Sequence, residues 1–215
     1  MTPFHHTLLR MTVLCVAFVS GFCIMTIELL GGRILSPYFG SSVYVWGSII
    51  TVFMLSLSFG YLAGGRLSMR KPNPVTYALF FVSAAVLILP LVLFAEAIME
   101  QVFLVIVDPR YGSLIASLML FFIPTAILGM ISPYSIRLLV RNEEHSGHIA
   151  GQLYFVSTMG SALGTLGTSF YFVLWFEVNF ILWGVILTLI AAGTTVLAVY
   201  YLPQRTSTGV QQYES

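Results

Sequence analysis

Charged side chains are scarce. Only 8% of the 215 residues are Asp, Glu, Lys or Arg, against roughly 25% in a soluble domain. A water-facing surface needs more of them; a chain bathed in hydrocarbon does not. Net charge is +1, with no basic block or arginine-rich arm, which excludes nucleic acid as a partner. Cysteine is nearly missing as well. Cys15 and Cys23, the only two, lie on one apolar run and are separated by roughly 12 Å if that run is helical. That spacing is beyond disulfide reach, so both read as packing residues. G-x-S-x-G does not occur, and His145 and His148 have no evident third ligand. Neither catalysis by this chain nor a metal or cofactor is expected.

What is abundant is apolar surface, at 58% of residues. A membrane-crossing helix needs about 20 mostly apolar residues. Six such runs are expected, near Met11–Leu35, Val43–Gly64, Val75–Ala95, Ser113–Ile131, Ile149–Leu174 and Val178–Tyr201. The first is too long for a signal-peptide core and has no small-residue cleavage site, so it reads as a retained helix. After the third, "AIMEQVFLVIVDP" is too short for another crossing. With Glu96 and Glu100 on one helical face, it reads as a short interfacial helix near residues 96–107. Pro90 is expected to kink the crossing before it.

Lys and Arg set the orientation. Arg10, Arg66, Arg70, Lys71, Arg137, Arg141 and Arg205 fall on one side, while only Arg33 and Arg110 fall on the other. This bias puts both termini in the cytoplasm and predicts a multi-pass protein of a bacterial-type inner membrane. Residues 1–203 read as a single transmembrane domain and 204–215 as a short disordered cytoplasmic tail.

Small residues and prolines mark contacts and bends. Gly60 and Gly64 form a small-xxx-small pair, and Ser157, Gly160, Ser161, Gly164 and Thr168 draw a stripe along the fifth run. Such stripes permit close helix–helix approach, within the chain or in a homodimer. The fourth run holds Pro124, Gly129 and Pro133, which predicts a bend and local unwinding between Gly129 and Pro133. Arg66, Arg70, Lys71, Arg137 and Arg141 are candidate cytoplasmic docking residues.

"TIELLGGRILSPYFGSS", residues 26–42, sets Glu28 and Arg33 where the first crossing should end. Five helical residues turn through about 140°, so the pair shares no face unless Gly31–Gly32 breaks the helix. Two readings stand. In one, the charges are a structural latch for the turn. In the other, Glu28 partners a cationic ligand, with Arg33 nearby, Glu96 and Glu100 assisting, and Tyr38, Tyr44 and Trp46 offering cation–π faces.

Three stretches carry a resemblance: "IELLGGRILSPYFGSSVYVWGSIITVFMLSLSFGYLAGGRL", "LGMISPYSIRL" and "GHIAGQLYFVSTMGSALGTLGTSFYF". Together they resemble the membrane-spanning part of fused spermidine synthases. The pattern through Glu28, Arg33, Leu35, Pro37, Gly40 and Ser42 is its most specific element. The resemblance implies an all-α integral membrane protein whose six-helix bundle is similar to half of a major facilitator transporter. The acid usual in the loop after the second helix of such transporters is replaced here by Gly65 or Arg66. In that family a soluble aminopropyltransferase-like domain follows the helices. No such segment follows here, so the chain reads as the membrane module alone, and synthase residues cannot be transferred. The implied ligand is a polyamine or related amine or nucleoside. A parallel homodimer would rebuild a twelve-helix form. The alternative role is a membrane anchor or accessory subunit for a separately encoded synthase-like enzyme or a larger complex.

Overall fold

The computed structural model describes residues 3–69, 72–140 and 146–210, with side chains over 7–69, 72–140 and 146–201. Among the described residues there is helix and no strand. The helices are α1 (Pro3–Phe39), α2 (Val43–Ser68), α3 (Pro74–Val105), α4 (Pro109–Leu139), α5 (Ser146–Gly167) and α6 (Val178–Val210). α5 continues through a π-helical turn, Thr168–Phe172, and a last α-turn, Val173–Trp175. Within the described residues, five helices are long and apolar enough to cross a membrane: Thr7–Phe39 of α1, then α2, α3 and α4, and Val178–Tyr201 of α6. The fold is that of a multi-pass α-helical membrane protein. α5 is not among the five, because the Gly, Ser and Thr residues that line it lower its apolar content.

Local chemistry sets the helix ends. α3 and α4 both start at an Asx–Pro pair. The Asn73 side chain accepts from the Val75 N–H at 2.9 Å and that of Asp108 from the Arg110 N–H at 2.9 Å, with proline as the first helical residue in each. α1 stops at Gly40, whose φ of +76° is left-handed and whose N–H reaches the Ser36 carbonyl at 2.9 Å.

Packing follows a pattern with an internal symmetry. α2 packs on α4, α1 on α5, and α3 on α6; α3 also meets α4, and α6 meets α1. Exchanging α1–α3 with α4–α6 leaves this set of pairs unchanged. The contacts match at residue level. A Cβ on Gly60 or Gly64 of α2 would strike the carbonyls of Ala126 and Met130 on α4, and Gly129 of α4 approaches Leu57. On the other pair, Gly160 and Gly164 of α5 face the carbonyls of Phe18 and Phe22 on α1, and Gly21 of α1 faces Ser157. Positions 57, 60 and 64 thus correspond to 157, 160 and 164, and 126, 129 and 130 to 18, 21 and 22. The small residues of the α2 pair and of the α5 stripe therefore face helices of the same chain. Ser161 Oγ donates to the Gly21 carbonyl at 3.3 Å, and Thr168 Oγ1 to Thr26 Oγ1 at 3.0 Å.

Direction completes the symmetry. α1 and α5 run parallel, with side-chain hydrogen bonds joining Arg10 to Gln152 and Thr26 to Thr168. The stretch between those bonds is roughly 24 Å long. α2 and α4 are likewise parallel. The Phe39 ring at the end of α1 lies on Gly112 near the start of α4, so α1 and α4 are antiparallel. The two halves form an inverted repeat.

Several expectations are corrected. Residues 96–107 hold no separate interfacial helix: α3 runs unbroken from Pro74 to Val105, through Pro90. At roughly 48 Å it exceeds a hydrocarbon core of about 30 Å, so it tilts or projects past it. α4 does not unwind between Gly129 and Pro133, being helical from Pro109 to Leu139. Gly129 serves instead as a contact for α2. The last helix runs from Val178 to Val210. Arg70, Lys71, Arg141, His145 and residues 211–215 lie outside the described residues.

Aromatic and hydroxyl groups fill the interior between α3 and α4. Tyr77, Phe81 and Tyr134 are buried there, while Phe121 of α4 is buried toward α2, its ring centre 5.5 Å from that of Phe53. Tyr77 OH and Ser135 Oγ bond at 2.7 Å. Tyr77→Phe should cost only about 1 kcal/mol, since Ser135 keeps its bond to the Ile131 carbonyl at 2.7 Å. Thermal unfolding in detergent reads that difference, and a loss above about 3 kcal/mol would contradict it.

Candidate functional site

The site is built where the ends of α1, α3 and α5 meet the start of α6. Arg33 is at its centre. Its exposed guanidinium lines a cavity of about 380 Å³ with Tyr38, Glu96, Met99, Glu177 and Asn179. It also lines one of about 320 Å³ with Gly32, Ser36, Ser41, Trp46 and Ser169. A third, of about 420 Å³, runs along Val173–Val178.

Each wall has a local cause. The final turns of α1 carry Arg33, Pro37 and Tyr38, held against α3 by ring contacts of Tyr38 and Phe39 with Phe103 at 6.2 and 6.0 Å. Tyr38 OH reaches the Glu96 backbone carbonyl at a long 3.5 Å. The unbroken α3 brings Glu96 to this rim, which a separate interfacial helix would not. The short turn before α6 supplies Glu177, whose carbonyl accepts from the Ile181 N–H at 3.1 Å, and Asn179 follows on the first turn.

Glu28 and Arg33 do not meet. α1 stays helical through Gly31 and Gly32, so the angular separation persists. Those glycines serve packing: a Cβ on Gly31 would lie 3.2 Å from the Phe121 ring, and one on Gly32 2.7 Å from the Trp46 ring. Neither Glu28 nor Arg33 has a hydrogen bond or ion pair among the described residues. Neither side chain therefore bonds across to pin the turn among the described residues. Glu28 is half-buried and lines none of the three cavities. It falls on the α1 face between Gly21, which meets α5, and Gly32, which meets Trp46 of α2.

The other candidate residues separate. Trp46 joins Arg33 in the second cavity. Tyr44 is taken by Arg110, whose guanidinium carbon sits 4.9 Å from its ring centre, a cation–π contact tying α2 to α4. Glu100 is exposed on α3 and lines none of these cavities. Arg66 and Arg137 are exposed in the last turns of α2 and α4, at the end opposite Arg33. Among the described residues no three His, Cys, Asp or Glu side chains gather to hold a metal. Sequence reasoning did not assign Glu177, Asn179 or Ser169 to the site. A charged or amide residue in the short turn before α6 was the available signal for the first two.

No family model, curated protein or solved structure matches the chain.

Proposed function

We propose that this protein is a six-crossing membrane protein of the inner-membrane type, both termini cytoplasmic, that binds and carries a small amine-type metabolite admitted at the Arg33 end. The observation that carries this reading is the cavity of about 380 Å³ edged by Glu96, Glu177 and Tyr38 at that end of the bundle. Carboxylates beside an aromatic face suit an ammonium group. α5 supplies the sixth crossing, since it runs beside α1 for roughly the depth of a bilayer core. The inverted repeat supports kinship with half of a major facilitator transporter. The resemblance to fused spermidine synthases supports an amine as the cargo. The exposed faces of α2 and α5 would then meet in a parallel homodimer.

Titration of the detergent-purified protein with 1,4-diaminobutane should give a saturable thermal shift. Glu96→Gln combined with Glu177→Gln should weaken it at least about tenfold, through the loss of both charge-assisted contacts. A wild-type protein that responds to no amine overturns the reading. Topology has its own check. Single cysteines at Met69 and Glu100 in a cysteine-free background should label from opposite sides of sealed vesicles, Met69 from the cytoplasmic side.

A second reading, an anchor or accessory subunit for a synthase-like enzyme, is favoured by the exposed Arg66 and Arg137 at the opposite end. Native-level pull-downs should then return one fixed partner, lost on Arg66→Glu with Arg137→Glu.

A further inference from the structure

We propose that the Arg33 cavity takes a small zwitterion, seating its oxyanion on the Arg33 guanidinium and its ammonium between the Glu96 and Glu177 carboxylates. The proposal rests on the amine reading above and narrows it: the amine carries its own anion.

Charges of both signs line one cavity without forming an ion pair among the described residues. Arg33, Glu96 and Glu177 share the space of about 380 Å³, yet none of the three has a side-chain hydrogen bond or ion pair among the described residues. Each comes from a different segment: the end of α1, the last turns of α3 and the turn before α6. A dication entering here would meet Arg33 as a like charge. A simple anion would meet two carboxylates. A molecule with one charge of each sign meets an opposite charge at both ends.

The surroundings favour the same class. On its other side Arg33 faces Ser36, Ser41 and Ser169 in the adjoining cavity, hydroxyls able to donate to an oxyanion that the planar guanidinium already grips. Asn179 offers both a donor and an acceptor beside Glu177. Leu91 and Met99 close the floor with apolar surface, which suits a short carbon linker. The volume matches a small molecule. One chemistry, ammonium joined to phosphate or carboxylate, has two sources: a free solute, or the headgroup of phosphatidylethanolamine in the surrounding leaflet.

The test uses the full chain in detergent and in lipid nanodiscs, with phosphoethanolamine, 1,4-diaminobutane and inorganic phosphate as probes. Phosphoethanolamine should bind about tenfold more tightly than either single-sign probe. Arg33→Gln should remove that preference while leaving diaminobutane binding in place, and Arg33→Lys should restore part of it. Arg110→Gln removes the same charge from the same end, where Arg110 is occupied by Tyr44, and should change nothing. In nanodiscs, competition by phosphatidylethanolamine but not phosphatidylglycerol identifies a lipid source. Undiminished phosphoethanolamine binding in both identifies a free solute. Either supports a zwitterion site. If diaminobutane binds as well as phosphoethanolamine and Arg33→Gln strengthens it, the zwitterion inference falls and the amine reading survives. If no probe binds, both fall.

Discussion

Gly160→Leu is expected to separate α1 from α5 and cost about 3 kcal/mol or more, at the upper end of overpacking penalties. A side chain at this position is driven into the backbone carbonyl of Phe18, and a carbonyl within a helix cannot rotate aside as a flexible side chain can. Relief requires the two helices to move apart, which breaks the Ser161 and Thr168 hydrogen bonds along the same seam. The inverted repeat predicts an equal penalty for Gly60→Leu, where the obstructing carbonyl belongs to Ala126. A methyl group at Gly47 would meet no atom within 4 Å, so Gly47→Ala should be neutral or gain up to about 1 kcal/mol from helix propensity. Thermal or denaturant unfolding in a fixed detergent ranks the three. Equal stability of Gly160→Leu and Gly47→Ala would show that the α1–α5 seam is not the close contact described.

Tyr134→Ala is expected to be comparably damaging, at about 3–5 kcal/mol. Tyr134 is almost fully buried on α4, stacked on Tyr77 with ring centres 6.1 Å apart and edge-on to Phe80 at 5.1 Å. Its hydroxyl accepts from the Asn73 N–H at 2.9 Å and donates to the Asn73 carbonyl at 3.3 Å. Asn73 also caps α3, so one side chain secures the entry of α3 against the exit of α4. Tyr134→Phe isolates the polar part and should cost about 1–3 kcal/mol, because the Asn73 groups lose a partner in a half-buried place. If the phenylalanine variant is as stable as the parent, the hydroxyl clasp contributes nothing. If the alanine variant loses less than about 1 kcal/mol, the site collapses around the gap and the aromatic stack is dispensable.

Much of the architecture was legible in the residues. Apolar run lengths located the helices, and the caps at Asn73–Pro74 and Asp108–Pro109 are local signals that need no tertiary knowledge. The small-residue pairs announced close contacts, although only the structure shows that Gly60 and Gly64 meet α4 while Gly160 and Gly164 meet α1. The misreadings share a cause. Glu96 and Glu100 look interfacial because charge is costly in hydrocarbon, yet a helix longer than the core can carry them beyond it. Gly31–Gly32 looks like a break because glycine weakens helices, yet here the absent side chains make room for the Phe121 and Trp46 rings. The cavity was half visible: Arg33, Tyr38 and Glu96 were named, while Glu177 and Asn179 lie far along the chain and no local pattern links them to α1. The π-helical turn that ends α5 leaves no mark in the composition.

The inverted halves have one more implication. Equivalent ends emerge on opposite faces of the bundle: the last turn of α2 carries Arg66, and its counterpart at the end of α5 leads into Phe176 and Glu177. Two halves with identical charge patterns would carry identical insertion signals, so an inverted pair is compatible only if the charges at equivalent ends differ. A chimera made of two first halves in tandem would inherit the conflict, and its second copy would be pulled toward the wrong way up.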